Sequence, residues 1–368
     1  MKHRCFRINI VCGSALLLLM SGVATSFAQY HGYDLGTLGG TSSAATGINN
    51  AGIIGGWSYT SDGGTRAVTF GGPVINDLGT LGGSQSMGLG VNDFGVVAGA
   101  SMNSIGNWHA FRFSGGTMTD LGTLGGSQSW GNAVNAPGTV VGQSVTGAGS
   151  YHAFQYQGGI MSDLGTLGGS FSEALGINNA GTVVGYSYMS YPLEHAFSYS
   201  GGVMTDLGTL DTAGGPAGSS RAYGINSSGT IVGYSSTADG HTHAFSYSAG
   251  IMHDLGSLNG GNSDAYAINS AGVIVGAAST SGFSAWHAFV YRDGTITDLS
   301  PFLTDIGLTG DSSALGIDDN GDIVGYASTA TGQRHAFLLA AVPEPSTFAL
   351  ATLGGTVLLF RRRAKRRS

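Results

Sequence analysis

The sequence has few of the groups that usually cross-link an exported protein. Its two cysteines, Cys5 and Cys12, both lie within the first 28 residues. These residues combine three basic side chains with an apolar run and the small residues "SFA" before Gln29, a pattern typical of a cleaved signal peptide. We therefore expect a mature chain without cysteine, in which neither a disulfide bond nor a thiolate site can form.

Basic residues are scarce between residues 29 and 341. This stretch contains five arginines, no lysine and 20 of the 21 acidic residues, so its formal net charge is −15. Such a surface repels phosphate backbones, and we expect no nucleic-acid partner. The composition therefore argues against nucleic-acid binding but does not indicate another function.

Signatures of catalysis are also missing from the sequence. It contains no "GxSxG" nucleophile elbow, no phosphate-binding loop and no zinc-protease motif. Glutamate occurs three times, at Glu173, Glu194 and Glu344, and we interpret the first two as solvated surface residues. We therefore predict no catalytic residue, cofactor or metal, although loops from different repeats could still assemble an active site.

Glycine, in contrast, is abundant, with 66 of 368 residues, and it accompanies a repeat. Three marks recur seven times each with a basic period of 43 residues. The first is "DLG" and the second is "[IV][ND]xxG", which begins its turn at Asn49, Asn92, Asn135, Asn178, Asn226, Asn269 and Asp318. The third is "HAF", with Arg66 at the equivalent place of the first unit. A period of this length is typical of solenoids, propellers and arrays.

Each unit contains four short strand candidates separated by turn residues. Four antiparallel strands in about 43 residues match one blade of a β-propeller. The last unit lacks a "DLG" strand, whereas residues 33–36, "YDLG", have no strand before them. We therefore predict an all-β, seven-bladed propeller over residues 29–341, closed by an N-terminal strand that completes the last blade.

The repeat varies in length at two connections. The distance from "DLG" to the Asn/Asp mark is 15 residues in five units and 20 in two, and the distance from that mark to the "HAF" position is 17 in six units and 18 in one. The distance from the "HAF" position to "DLG" is always 11. Both variable connections open on the same face of an up-and-down blade, and this face is our candidate binding face.

If the turn between the third and fourth strands is a tight hairpin, we expect the histidine of "HAF" to lie close to the aspartate of "DLG". The histidine shares a strand face with the aromatic residues that pack neighbouring blades, so we expect it to be buried and to need a partner. Seven copies favour a repeated structural hydrogen bond over a catalytic or metal-binding role. The predicted pairs are His109–Asp120, His152–Asp163, His195–Asp206, His243–Asp254, His287–Asp298 and His335–Asp34.

Two segments resemble metal sites superficially. His241, His243 and His253 could approach each other across one hairpin. Side chains alternate along a strand, however, so His253 and its neighbour Asp254 point to opposite faces. The segment "DDNGD" at 318–322 resembles part of a calcium loop but lacks the distal glutamate and aligns with an ordinary hairpin turn. We favour the structural reading of both.

The C-terminal residues 342–368 combine a proline-bounded motif, an apolar run and a basic cluster. This arrangement resembles the PEP-CTERM sorting signal of Gram-negative bacteria, with Val342, Pro343, Glu344 and Pro345 at the motif. The resemblance implies signal peptidase and exosortase as processing partners, a transient membrane anchor, and release to the surface or matrix, commonly in exopolysaccharide producers. The repeats resemble the HAF family of extracellular repeats, which implies no established activity.

These observations lead to one expected function and two alternatives. We expect an exported, non-enzymatic surface or matrix protein that binds polysaccharide or another protein through the variable face. The alternatives are a secreted polysaccharide hydrolase or lyase on a propeller scaffold, and a purely structural surface-layer component.

Overall fold

The computed structural model describes residues 29–71, 74–190, 193–211, 218–280 and 285–342. The predicted signal peptide and three residues of the sorting motif, Pro343, Glu344 and Pro345, lie outside the described residues. The described residues form 28 strands and one short helix. No helix among them is long and apolar enough to cross a membrane.

The strands form seven four-stranded antiparallel sheets, so the predicted seven-bladed propeller is confirmed. Blade 1 contains β2 (Gly39–Ile48), β3 (Ile54–Thr60), β4 (Thr65–Gly71) and β5 (Val74–Asp77). Blade 2 contains β6 (Gly82–Val91), β7 (Val97–Asn103), β8 (Trp108–Ser114) and β9 (Thr117–Asp120). Blade 3 contains β10 (Gly125–Val134), β11 (Val140–Thr146), β12 (Tyr151–Gln157) and β13 (Ile160–Asp163). Blade 4 contains β14 (Ser172–Ile177), β15 (Val183–Ser190), β16 (Leu193–Ser200) and β17 (Val203–Asp206). Blade 5 contains β18 (Ser220–Ile225), β19 (Ile231–Ser236), β20 (Thr242–Ser248) and β21 (Ile251–Gly256). Blade 6 contains β22 (Ser263–Ile268), β23 (Ile274–Ser279), β24 (Trp286–Arg292) and β25 (Thr295–Asp298), and the helix α1 (Ser300–Thr304) follows it. Blade 7 contains β26 (Leu308–Ile317), β27 (Ile323–Thr329), β28 (Arg334–Val342) and the N-terminal strand β1 (Gln29–Gly36).

The N-terminal strand closes the ring as predicted. Strand β1 is hydrogen-bonded to β28, and the sheet order of blade 7 is β1-β28-β27-β26. At this seam, His335 Nδ1 lies 2.8 Å from Asp34 Oδ2. The first strands of neighbouring blades contact each other around the whole ring, including β2 with β26. The ring therefore leaves no open sheet edge between the first and last blades.

The core lies between the blades. The phenylalanine and the alanine of "HAF" are both fully buried, for example Ala196 and Phe197 in blade 4. One of the clusters joins Val184 and Ala196 of blade 4 to Ile231 and Phe245 of blade 5. Both faces of the third strand are therefore covered, and each buried phenylalanine contributes about 1.5–3 kcal/mol.

The histidine of "HAF" is less buried than the sequence pattern predicts. Its side chain keeps between 15% and 26% of its accessible surface in the six pairs. The expectation of a buried histidine was wrong, because the phenylalanine two residues later fills the space between the blades and leaves the histidine at the margin of that layer.

A fully buried serine in each first strand links its blade to the preceding one. Its Oγ accepts a hydrogen bond from the "HAF" alanine N–H of the preceding blade at 2.8–2.9 Å. In six of these cases it also donates to the carbonyl of the "DLG" glycine at 2.6 Å. The serines are Ser43, Ser86, Ser129, Ser172, Ser220, Ser263 and Ser312. Because these groups are buried, an unpaired partner would cost about 1–3 kcal/mol.

Every first strand also contains a β-bulge that displaces one residue from the pairing. In blade 4, Ala174 pairs with Gly185 and Gly176 pairs with Val184, so Leu175 is unpaired. A Cβ on Gly185 would lie 1.9 Å from the carbonyl oxygen of Glu173, and glycine occupies the equivalent place of all seven blades. The bulge therefore requires glycine opposite it, and it turns the displaced residue out of the sheet.

We expect deletion of residues 30–36 to lower the melting temperature sharply and broaden the transition, because it removes the fourth strand of blade 7 and opens the ring. The matched control shortens the 206–226 connection by deleting residues 212–216, which restores the 15-residue spacing of most repeats. Thermal unfolding followed by circular dichroism measures both. A synthetic peptide of residues 29–38 added in trans should restore stability to the first variant. Equal melting of the two variants would contradict closure by β1.

Candidate functional site

The seven displaced bulge residues line the central channel. They differ from blade to blade, unlike the serines and alanines of the repeat. We call them the bulge ring: Thr46, Leu89, Asn132, Leu175, Tyr223, Tyr266 and Leu315. They surround a cavity of ≈ 230 Å³. The backbone directs these side chains to the channel axis. The chemistry of the surface that they form therefore depends on the residue that each blade supplies.

Two residues before each bulge residue, a second set varies in the same way. We call it the variable ring: Ala44, Met87, Trp130, Glu173, Arg221, Asp264 and Ser313. The first strands run from the connection between blades toward the hairpin turn, so the variable ring lies nearer the face with the long connections. Its charged members are all in blades 4, 5 and 6. The pseudo-sevenfold scaffold therefore presents one asymmetric cluster.

Glu173 is enclosed by neutral hydrogen-bond donors. Its Oε1 accepts from Asn132 Nδ2 at 2.9 Å, and its Oε2 accepts from the Tyr186 hydroxyl at 3.0 Å. Burial raises the pKa of the Glu173 carboxyl, and these two hydrogen bonds counteract the rise only in part. The interpretation of Glu173 as a solvated surface residue was wrong.

Glu194 was also interpreted wrongly as solvated, since it is 6% exposed. Its carboxylate forms a bidentate ion pair with Arg221, with N–O distances of 2.6 and 2.9 Å. The guanidinium of Arg221 also lies over the Tyr186 ring, 4.0 Å from its centroid. Arg221 comes 27 residues after Glu194 in the chain, and the ring places the two side chains across the boundary between blades 4 and 5.

Asp264 completes the cluster in blade 6. Its Oδ2 accepts a hydrogen bond from the Tyr266 hydroxyl at 3.2 Å. Burial raises the pKa of Asp264 to about 6, although the Tyr266 hydrogen bond and the charge of Arg221 act in the opposite direction. The Tyr223 and Tyr266 rings meet edge to face with centroids 5.1 Å apart. A desolvated carboxyl group thus lies beside two aromatic rings that line the cavity.

Aromatic side chains continue from the variable ring across blades 3 and 4. Trp130 and Tyr151 have centroids 6.1 Å apart, Tyr151 and Phe171 6.0 Å, and Phe171 and Tyr188 5.2 Å. We call these four residues the aromatic ribbon. Tyr151 and Tyr188 flank the connection between the second and third strands of their blades. The ribbon therefore lies toward the face that we predicted to bind ligands.

At the opposite end of the channel the Asn/Asp marks form a ring of hydrogen bonds between blades. Six asparagine side chains each donate to the backbone carbonyl of the equivalent residue in the next blade at 2.7–3.3 Å. Asp318 occupies the seventh place and has no amide N–H to donate. At this boundary Asp319 N donates to Asn50 Oδ1 at 2.9 Å, a bond of a kind that three other boundaries also have. These residues surround a cavity of ≈ 210 Å³, and their repetition points to architecture.

The structure brings each predicted histidine to its predicted aspartate. The shortest distance from Nδ1 to a carboxylate oxygen is 2.8–2.9 Å in all six pairs. In blade 1, Arg66 Nε lies 3.5 Å from Asp77 Oδ2 instead. The aspartate also accepts from the glycine of "DLG", as Asp206 does from Gly208 N at 2.8 Å. Six of the seven aspartates therefore bond to both a turn and a histidine, and a structural role for the pairs stays a prediction.

Neither of the two segments that resemble metal sites forms one among the described residues, where no group of three or more His, Cys, Asp or Glu side chains converges on one point. His253 is the cross-strand neighbour of Ser246, and the adjacent Asp254 bonds to His243 on the other strand face. Asp318 accepts from the backbone N–H of Asn320 and Asp322, both at 2.9 Å, as in a hairpin turn.

Five residues of the cluster escaped the sequence reasoning: Asn132, Arg221, Tyr223, Asp264 and Tyr266. The repeat contains one signal that identifies them. They occupy two sets of equivalent positions, the bulge ring and the variable ring. At these positions the residue type differs between the seven units, whereas the neighbouring positions keep theirs. The bulge that directs them to the channel was not visible in the strand pattern.

For the His195–Asp206 pair we expect His195→Ala and Asp206→Ala to show a coupling of about 0.5–1 kcal/mol in a double-mutant cycle of unfolding free energies. The hydrogen bond to Asp206 raises the pKa of His195. The charged pair therefore stabilises the fold below the unfolded histidine pKa of about 6.5, and part of this stabilisation is lost as pH rises through the folded pKa. Urea unfolding at pH 5.5 and pH 9 should give the larger coupling at pH 5.5. Zero coupling at both would contradict a structural role.

For Asp264 we expect Asp264→Asn to stabilise the protein by roughly 2 kcal/mol at pH 7.5. The folded pKa of about 6 lies above the ordinary aspartate pKa of 3.8, so ionisation of Asp264 destabilises the fold progressively between about pH 4 and pH 6. The gain should therefore largely vanish at pH 4. Asp305→Asn, at an exposed aspartate, is the control. A destabilised Asp264→Asn protein at pH 7.5 would show that Asp264 is a structural residue.

Three solved structures are similar to this chain, and the one with a TM-score of 0.50 supports the fold alone. The puromycin-hydrolyzing peptidase of Mycobacterium tuberculosis is 11% identical with a TM-score of 0.50, over 79% of this chain and 50% of the peptidase chain. TolB from Acinetobacter baumannii is 12% identical with a TM-score of 0.42, over 79% of this chain and 64% of the TolB chain. The Aleuria aurantia lectin in complex with Fucalpha1-6GlcNAc is 13% identical with a TM-score of 0.41, over 83% of this chain and 98% of the lectin chain.

This chain therefore spans half of the peptidase and less than two thirds of TolB. No curated protein sequence matches the chain.

The C-terminal segment matches a family model. Residues 341–364 match the PEP-CTERM protein-sorting motif. This match confirms the sorting-signal part of the sequence interpretation, whereas the assignment of the repeats to the HAF family stays a prediction. The motif indicates an exported protein that an exosortase sorts through a membrane-anchored intermediate.

Proposed function

We propose that this exported propeller is a polysaccharide-binding protein of the cell surface or extracellular matrix, and that it binds at the channel entrance of blades 3 to 6. One observation carries the proposal. The variable ring and the bulge ring differ between blades whose packing residues are repeated, and their charged and aromatic members concentrate on one side of the channel. A purely architectural ring would need no such asymmetry.

The chemistry of this entrance suits a carbohydrate. The flat faces of the aromatic ribbon offer apolar area to the C–H faces of sugar rings, at a low cost in side-chain entropy. The carboxylate and amide groups of Glu173, Asp264 and Asn132 can accept from or donate to hydroxyl groups. A few oriented polar groups among aromatic walls are typical of small-molecule and cofactor sites.

The sorting motif supports the location that this function needs. An exosortase substrate is exported, and we propose release to the surface or matrix of a Gram-negative, exopolysaccharide-producing cell. The HAF-like repeats agree with an extracellular location. The host polysaccharide is therefore the first ligand to test.

A hydrolase or lyase is the second candidate, and the two carboxyl groups with raised pKa favour it. Glu173 and Asp264 both retain protons more readily than exposed carboxylic acids, as a general acid must. A surface-layer component without a small ligand is the third candidate.

We expect the exported protein to bind the host exopolysaccharide without shortening it. Binding measured on a glycan array should fall at least about tenfold in Trp130→Ala and Tyr151→Ala, because each substitution removes part of the aromatic ribbon. The matched control is Phe94→Ala, since Phe94 is 77% exposed in a turn at the opposite end of the channel. New reducing ends or unsaturated products would favour the enzyme. Absence of binding and of turnover would favour the structural component.

A further inference from the structure

The charges at the channel entrance are unbalanced. The cluster contains three carboxyl groups, Glu173, Glu194 and Asp264, and one guanidinium, Arg221. The bidentate ion pair with Glu194 engages Arg221, with N–O distances of 2.6 and 2.9 Å. The donors to Glu173 and Asp264 are neutral amide and phenol groups. Two partly buried carboxyl groups thus lack a bonded cation among the described residues, a costly arrangement that a cationic ligand would relieve.

Aromatic rings surround the unbalanced carboxyl group of blade 6. The Tyr223 and Tyr266 rings lie edge to face with centroids 5.1 Å apart, both line the ≈ 230 Å³ cavity, and Tyr266 is bonded to Asp264. An ammonium group is attracted to the face of an aromatic ring, and more strongly where water is excluded. Cation–π attraction and a carboxylate therefore act at the same end of the cavity.

An unpaired acceptor lies in blade 3, beside the aromatic ribbon. Gln143 is the cross-strand neighbour of Trp130, and its Oε1 is buried without a hydrogen-bond partner among the described residues. A buried acceptor without a donor is rare in a folded protein.

We propose that the channel entrance binds a primary ammonium group of a polysaccharide with free 2-amino-2-deoxy sugar units, with Asp264 as its counter-ion and Tyr223 and Tyr266 as its cation–π surface. This inference rests on the proposed polysaccharide-binding function and specifies its ligand. A cavity of ≈ 230 Å³ is smaller than the ~300 Å³ at which drug-sized pockets begin, so it suits a single sugar unit. The formal net charge of −15 over residues 29–341 attracts a cationic polymer and repels an acidic one.

Calorimetric titration of the purified exported protein at about pH 6.5 tests the inference with two probes, a glucosamine hexamer and an N-acetylglucosamine hexamer. They share a sugar backbone and differ in the amines. We expect the glucosamine hexamer to bind at least about tenfold more tightly, as a charge-assisted contact does. Asp264→Asn should abolish the difference, and Tyr223→Leu should reduce it. Asp305→Asn removes the same charge from an exposed site and should preserve it.

Equal affinity for both hexamers would overturn the ammonium assignment and leave polysaccharide binding intact, whereas no binding to either would count against both. If Asp264→Asn and Asp305→Asn reduced the affinity difference between the two hexamers equally, net charge alone would explain the attraction. That result would overturn the proposed site. If spermine bound as tightly as the glucosamine hexamer and displaced it, the sugar assignment would be overturned. The aromatic ribbon and the cavity would then add nothing to the ammonium contact.

Discussion

The buried serine of each first strand is the interaction on which the rest of the ring depends. Its hydroxyl accepts from the third strand of the preceding blade and, in six blades, donates to the turn after the fourth strand. The bond between Ser43 and Ala336 repeats this interaction at the seam between blades 1 and 7, across residues that are 293 positions apart. Because the N-terminal strand β1 supplies Gly36 to the same serine, closure of the ring and packing of the blades are a single constraint.

Because these repeated contacts hold the strands in place, the residues that line the channel can differ between blades. The serine, alanine and phenylalanine of the repeat fix the positions of the strands, and the bulge opposite the second-strand glycine turns one residue per blade to the axis. The serine–alanine hydrogen bonds between blades do not involve the side chains at these axial positions. The bulge ring and the variable ring can therefore differ between blades. In blades 4 to 6 the variable ring combines Glu173, Arg221 and Asp264 at an energetic cost that packing alone would not select.

The sequence was sufficient for the architecture but not for the cluster. The surplus strand around Asp34 and the deficit after His335 predicted the closure. The constant spacing of 11 residues in the other units predicted the histidine–aspartate contact that these two residues repeat at the seam. Glu194 was misread because its environment depends on Arg221, which lies in the next blade, and on burial that spacing does not show. The bulges were invisible because they shift the strand register by one residue without altering the turn residues. Export and sorting by an exosortase follow from the sorting motif, whereas the ligand does not follow from any motif.

Amide hydrogen exchange of the seven "HAF" position alanines tests the central claim of a uniformly closed ring most directly. Each alanine N–H donates to a serine Oγ at 2.8–2.9 Å. If the seam is equivalent to the other six boundaries, Ala336 should exchange at the same rate as Ala153 and the others, and only through global unfolding. Exchange of Ala336 faster than Ala153 by orders of magnitude would contradict the account, because the ring would then open locally at the seam.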